Sequence, residues 1–170
     1  MIIRTSLLGL FFLIQAAAFG QVLEARFEVL YSGASVTGIF SDTSVEYHFD
    51  TDDLENSYFN ATIQVVSMDT EMPARDTQLM KKKYFHADKY PTMTFKSNRI
   101  YRQGVSYFVE GDLTIKDVTT KMQLPLQVSF NQSGISVLKT EFTIDRRDYH
   151  VGKSHFLLED EVSIWIELKP

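Results

Sequence analysis

Few residues in this sequence combine the types and spacing that catalysis or metal binding requires. The four histidines, His48, His86, His150 and His155, do not form the H-E-x-x-H pattern of a zinc site. There is no cysteine, which excludes a thiol nucleophile, a disulfide framework and a thiolate-bound metal. Neither a G-x-S-x-G motif nor a glycine-rich phosphate loop is present. We therefore expect no metal site and assign no catalytic residue.

Two charged motifs could still contact a ligand. Arg75-Asp76 and Arg146-Arg147-Asp148 could hold a polar head group at the rim of a pocket through charge-assisted hydrogen bonds, or could pin a helix or loop to the main fold. The second interpretation is favoured, and Arg75, Asp76 and Arg146 remain the candidates for a polar rim. An acid–base enzyme that uses Asp76, His86 or His150 is an alternative, and it needs such a group to face a cavity.

The charge balance argues against nucleic acid as a partner. The 170 residues carry a formal net charge of -5, and the acidic groups are scattered along the chain. The only basic run is Lys81 to Lys83. Binding to a phosphate backbone needs clustered Lys and Arg. We therefore expect no nucleic-acid binding.

The first twenty residues have the features of a secretory signal peptide. Arg4 is a positive start, Leu7 to Ile14 form an apolar run, and Ala18-Phe19-Gly20 is a small-x-small cleavage site. The apolar run is shorter than the roughly 20 residues that span a bilayer, so we expect no stable membrane anchor. The sequence predicts a signal peptide over 1–20, cleavage after Gly20, a single domain over 21–170 and a periplasmic or secreted location.

The rest of the chain alternates between apolar and polar residues with the period of a β-strand. In Val22 to Tyr31, for example, Phe27 and Val29 share one face and Glu28 lies on the other. About eight such strands are predicted, with a single helix at about Pro73 to Lys83. One short helix cannot cover the apolar face of a flat sheet, so the strands must close into a barrel or fold over as a sandwich.

The predicted inner face is rich in aromatic and methionine side chains. They could simply fill a core, or they could line an elongated cavity that suits a long apolar molecule. The candidates for such a cavity wall are Phe27, Val29, Phe40, Tyr47, Phe49, Phe59, Met93, Phe95, Leu113, Ile115, Met122, Leu124, Phe142 and Ile164.

Several motifs resemble those of one family of exported proteins, the YceI-like family. The most specific run comprises Arg75-Asp76, Leu79, Tyr84-Phe85, Tyr90-Pro91 and Phe95-Lys96-Ser97. Further similar segments are Ser35 to Phe40, Gly111 to Ile115, Leu124-Pro125, Arg146 to Tyr149 and Asp160 to Val162. Three positions depart from the family pattern: His86 stands in place of an Asp, and Asp117 and His150 each stand in place of a Gly. Asp tolerates positive φ, so Asp117 is expected to preserve its turn.

The resemblance implies a fold and a ligand class. The expected fold is all-β, an extended antiparallel eight-stranded lipocalin-like barrel with one short helix. The implied function is non-enzymatic binding, transport or sequestration of a long apolar lipid, a polyisoprenoid or an isoprenoid quinone, by a monomer or homodimer. Besides the enzyme named above, the remaining alternative is a stress-related module that binds proteins and uses the barrel only as a scaffold.

Overall fold

A computed structural model describes residues 18–170 of the chain. Most of the predicted signal peptide therefore lies outside the described residues. The strands are β1 Ala18–Tyr31, β2 Ala34–Phe40, β3 Thr43–His48, β4 Tyr58–Gln64, β5 Met68–Asp69, β6 Thr92–Gln103, β7 Ser106–Ile115, β8 Val118–Asn131, β9 Gly134–Asp145 and β10 Leu158–Lys169. A 3-10 turn spans Val65–Ser67, and helix α1 spans Pro73–Leu79. Within residues 18–170, no helix is long and apolar enough to cross a membrane.

Eight strands close into an antiparallel barrel rather than a sandwich. The order runs β1, β3, β4, β6, β7, β8, β9 and β10, and β10 returns to pair with β1. The first residues of β1, Ala18 to Gly20, pair with β3, whereas Arg26 to Tyr31 pair with β2 along the same edge. β2 in turn carries the short β5. The predicted eight-stranded barrel with one short helix is confirmed, and β2 and β5 extend its wall.

Helix α1 ends at Leu79, four residues before the predicted end at Lys83. The expected start at Pro73 is correct, because proline suits the first helical turn, where its missing N–H has no partner. Past Leu79 the chain folds back on itself. Phe85 N–H donates to the Leu79 carbonyl at 3.0 Å, and Ala87 N–H donates to the Met80 carbonyl at 3.0 Å. These turns replace the helical hydrogen bonds that would have continued through the lysines.

The two ends of the barrel carry different connections. At what we call the lower end, a nine-residue loop joins β3 to β4, and two-residue turns join β6 to β7 and β8 to β9. The upper end carries α1 and the 146–157 connection that leads into β10. Each end has its own hydrophobic core, built around Phe59 and Leu138 at the lower end and around Val65 and Tyr149 at the upper end.

Two glycines let inward-facing rings lie flat against the wall. A Cβ at Gly38 would collide with the ring of Phe27 on the neighbouring strand. A Cβ at Gly111 would lie 2.5 Å from the Lys96 carbonyl oxygen and 2.5 Å from the Phe95 ring. A glycine inside a strand often marks such a close approach. The close approach of the Phe27 ring therefore explains the glycine at position 38 of β2.

Candidate functional site

An internal cavity of about 670 Å³ lies between the two cores. Inward-facing side chains of almost every barrel strand form its wall, since alternate residues of a strand point to the same face. Most of the predicted wall residues line it: Phe27, Val29, Phe40, Phe59, Met93, Phe95, Leu113, Ile115, Leu124, Phe142 and Ile164. The wall is overwhelmingly apolar, so it has few partners to offer a polar guest.

Three of the predicted wall residues do not reach the cavity. Tyr47 and Phe49 instead pack in the lower core, with ring centroids 6.0 Å and 5.8 Å from that of Phe59, and Phe49 also meets Tyr107 edge-on at 5.7 Å. Burial raises the pKa of Tyr47 above its usual value. For these two residues the cavity prediction is wrong, because both rings pack on Phe59 and close the lower end of the barrel.

Met122 is the third exception, and Tyr149 takes its place. The side chain of Tyr149 comes from the 146–157 connection, is almost fully buried and lines the cavity. Its hydroxyl donates to the Met122 sulfur at 3.9 Å. The prediction for Met122 is therefore wrong, since its sulfur contacts Tyr149 and its side chain does not line the cavity. Sequence reasoning missed Tyr149 as a wall residue, although the Arg146 to Tyr149 motif was the available signal.

The mouth of the cavity lies at the upper end, between α1 and the end of β1. Tyr31 and Met72 both line the cavity and are exposed to solvent, at 44% and 51% of their surface. One face of helix α1 lies against the opening. This face comprises Ala74, Arg75, Gln78 and Leu79. Positions spaced by four share a face of a helix, so this short segment forms one side of the entrance.

The predicted rim pair Arg75 and Asp76 pins α1 to the barrel. Arg75 donates from Nε to the Thr70 hydroxyl at 2.9 Å and from Nη2 to the Thr70 carbonyl at 2.8 Å. Asp76 Oδ1 accepts hydrogen bonds from the backbone N–H and the hydroxyl of Thr70. Arg75 lines the cavity, whereas Asp76 does not. The geometry thus agrees with the favoured interpretation of a structural clamp and leaves Arg75 as the rim residue beside the mouth.

The third rim candidate, Arg146, is buried in the upper wall with only 5% of its surface exposed. It lines the cavity, but its polar atoms are directed at protein groups. It donates to the carbonyls of Glu159 and Val151 at 3.0 Å and 2.8 Å, and to Asp160 Oδ1 at 2.6 Å. Arg146 therefore fastens the 146–157 connection to the start of β10.

Neither His86 nor His150 lines the cavity. Both have left-handed backbone conformations, with φ of 54° and 55°. The β7–β8 turn at Lys116 and Asp117 is preserved as expected, but the residue with positive φ is Lys116, at 58°, and not Asp117. Asp76 does not line the cavity either, so none of the three residues named for an acid–base enzyme, Asp76, His86 and His150, faces it. No cluster of three or more potential metal ligands occurs in the described part of the chain.

Comparison with known proteins agrees with this architecture. The model of the YceI-like domain family matches residues 20–169. The chain belongs to the YceI-like family. A UPF0312 protein of Photorhabdus laumondii is 36% identical over 101 residues, which cover 59% of this chain and 53% of that protein. The chain thus spans about half the length of the curated relatives it matches.

Two solved structures of similar fold extend the comparison. The crystal structure of BcnA from Burkholderia cenocepacia superposes with a TM-score of 0.77 at 26% identity, over 85% of this YceI-like chain and 94% of that one. A polyisoprenoid binding domain from Saccharophagus degradans, implicated in plant cell wall breakdown, has a TM-score of 0.64 at 14% identity, over 91% and 100% of the two chains. Because the identity is only 14%, the similarity to this second structure shows a shared fold and nothing more.

Proposed function

We propose that this protein binds a long apolar lipid in its barrel and carries or sequesters it without chemically altering it. The observation behind the proposal is the cavity of about 670 Å³ with an almost wholly apolar wall, closed below by stacked rings and open beside α1. A polyisoprenoid or an isoprenoid quinone fits this description. The polyisoprenoid binding domain of similar fold supports the same ligand class.

The dimensions and energetics of the cavity suit such a guest. On β10 the wall residues run from Leu158 to Leu168. That stretch, at about 3.3 Å per residue and a tilt of about 40°, covers about 25 Å along the barrel axis. Burying about twenty carbons at about 0.8 kcal/mol each would contribute about 16 kcal/mol, which exceeds the roughly 4 to 15 kcal/mol cost of association.

Organic extraction and mass spectrometry of protein purified without detergent test the proposal. We expect a stoichiometric lipid with a long apolar chain. Ala25 is buried in the cavity wall, so Ala25→Phe should lower the bound lipid by filling the cavity. Ala34 is exposed on β2 and does not line the cavity, so Ala34→Phe is the matched control. Folded protein that contains no lipid and takes up none from detergent would contradict the proposal.

We further propose that the protein acts outside the cytoplasm, in the periplasm or after secretion. The support is the pattern of Arg4, the apolar run and the small residues near Gly20. Cell fractionation and N-terminal sequencing of the mature protein test it. A mature chain that begins after Gly20 would lack the three residues that pair with β3, so the same experiment shows whether that pairing persists after export.

A further inference from the structure

Exposed apolar side chains gather beside the mouth of the cavity. Phe156, in the 146–157 connection, is 92% exposed, and its ring stacks on His155 with centroids 5.4 Å apart. His155 in turn stacks on Tyr31, with centroids 6.0 Å apart. Tyr31 and Met72 belong to both the cavity wall and the solvent-exposed surface. A chain of rings therefore leads from inside the cavity to the outermost tip of the 146–157 connection.

The backbone holds this tip in place on the rim. Ser32 N–H, at the turn after β1, donates to the Leu157 carbonyl at 2.6 Å. Gly152 N–H donates to the Lys83 carbonyl at 3.0 Å, on the segment that follows α1. The connection is thus tied to both sides of the mouth, and Phe156 is presented from a fixed position.

We propose that this rim, formed by Tyr31, Met72, His155 and Phe156, docks onto the surface of a lipid bilayer when cargo is loaded or released. The proposal rests on the lipid-binding function proposed above. A long apolar guest that crossed water would expose its chain at about 0.8 kcal/mol per CH₂. Because stacked rings close the lower end, the mouth is the entrance that the described structure offers. A rim inserted among lipid head groups lets the chain pass from one apolar environment to the other.

The chemistry of the rim suits a membrane interface. An aromatic side chain with a polar edge, such as Tyr31, favours the head-group region, and Phe156 can insert beyond it. The charge at this end of the barrel is mixed, because the exposed run Lys81 to Lys83 lies beside the 146–157 connection. Asp145, Glu159 and Glu161 surround the same shallow surface pocket as Phe156, and the whole chain has a net charge of -5. Docking should therefore depend on apolar insertion and not on anionic head groups.

Vesicle flotation tests the proposal, with purified protein that lacks the predicted signal peptide, because the apolar run Leu7 to Ile14 would itself bind lipid. The probes are vesicles of phosphatidylcholine alone and of phosphatidylcholine mixed with phosphatidylglycerol. We expect the protein to float with both, at low and high salt alike, because screening weakens only charge attraction. Phe156→Ser should lower the partition coefficient about tenfold, the effect of losing one inserted aromatic side chain. Phe130→Ser is the matched control, since Phe130 is 60% exposed at the opposite, lower end of the barrel.

Two further measurements separate this proposal from the lipid-binding function. Uptake of a fluorescent polyisoprenoid from detergent reports on the cavity alone, and we expect it to be unchanged in Phe156→Ser, which does not line the cavity. Transfer of the same probe between vesicles should slow in Phe156→Ser but not in Phe130→Ser.

The docking proposal is overturned if the two serine variants float equally, or if flotation needs anionic lipid and vanishes at high salt. It is also overturned if the probe moves between vesicles only when a second protein is added. Failure of uptake from detergent would instead reject the lipid-binding function. That result can be told apart from a failure of docking, since flotation is scored without the probe.

Discussion

Replacing Arg146 with methionine tests the hydrogen bonds by which this residue fastens the 146–157 connection to the start of β10. The substitution keeps most of the apolar stem but removes the guanidinium. It leaves the carbonyls of Val151 and Glu159 without their donor, and it also removes the charge opposite Asp160. The carbonyl of Lys153, which accepts from Nη2 at 3.2 Å, loses its partner as well.

The expected loss of stability follows from burial. Breaking a buried ion pair by removing one partner costs about 3 to 5 kcal/mol. The Asp160 side chain is 34% exposed, so water can solvate part of its unpaired charge, and we expect a value near the lower bound, about 3 kcal/mol. For a chain of this length, each kcal/mol lowers the thermal midpoint by about 2 to 4 °C. Arg146→Met should therefore lower the midpoint by about 6 to 12 °C.

Arg147 supplies the matched control. It pairs with the other oxygen of the same carboxylate, Asp160 Oδ2, at 2.9 Å, and Asp160 raises its pKa. The Arg147 side chain is 50% exposed, and water replaces an exposed ion pair at little cost. Arg147→Met should leave the midpoint close to that of the unaltered protein. Thermal unfolding followed by circular dichroism measures both variants under identical conditions.

Equal midpoints for the two variants would refute this reasoning, because contact with Asp160 would then matter and burial would not. A midpoint for Arg146→Met within about 2 °C of the original would do the same, since it would mean that the carbonyls regain partners at no cost. Uptake of lipid from detergent by Arg146→Met, measured below the thermal midpoint of the variant, shows whether the hydrogen bonds of Arg146 also shape the cavity.

Three further changes have predictable outcomes. Gly111→Ala should cost about 1 to 3 kcal/mol in urea unfolding, because the new methyl group meets the Lys96 carbonyl, which cannot swing away as a side chain could. Burial raises the pKa of Tyr149, so the folded state keeps this proton when the unfolded state has lost it. Stability should therefore fall as the pH rises above about 10, and less steeply in Tyr149→Phe. Phe49→Ala should cost about 2 kcal/mol and open the cavity downward, so that mass spectrometry finds longer bound chains.

Each of these expectations has a contrary result. A Gly111→Ala variant as stable as the original would mean that the β6–β7 pair shifts freely. Identical alkaline slopes for Tyr149→Phe and the original protein would place the titration elsewhere. An unchanged chain-length distribution in Phe49→Ala would show that the remaining rings of Tyr47, Phe59 and Tyr107 suffice to close the barrel.

Strand periodicity predicted much of the barrel and of its wall, because the inward direction of a side chain depends only on local alternation. Phe27, Phe95 and Phe142 were assigned to the inner face on that basis, and all three line the cavity. The step from one short helix to a closed barrel also held, since uncovered apolar faces must meet one another.

Depth along the barrel axis could not be predicted in the same way. Tyr47 and Phe49 have the same alternation as Phe27, yet they stack on Phe59 and fill the lower end. Whether an inward ring faces space or another ring depends on register between strands distant in sequence, which periodicity does not encode. Tyr149 was missed for a related reason, since it enters the barrel from a connection that has no period.

The rings of Tyr47, Phe49 and Phe59 close the lower end of the barrel, so the cavity formed by residues 18–170 opens at its upper end. A molecule that enters tail first must leave head group first, so its head group lies at the mouth for as long as it is bound. One bound molecule also excludes a second, so the first must dissociate before another can bind. A lipid bound as proposed would leave such a cavity head group first, so an acceptor would need to bind only that end.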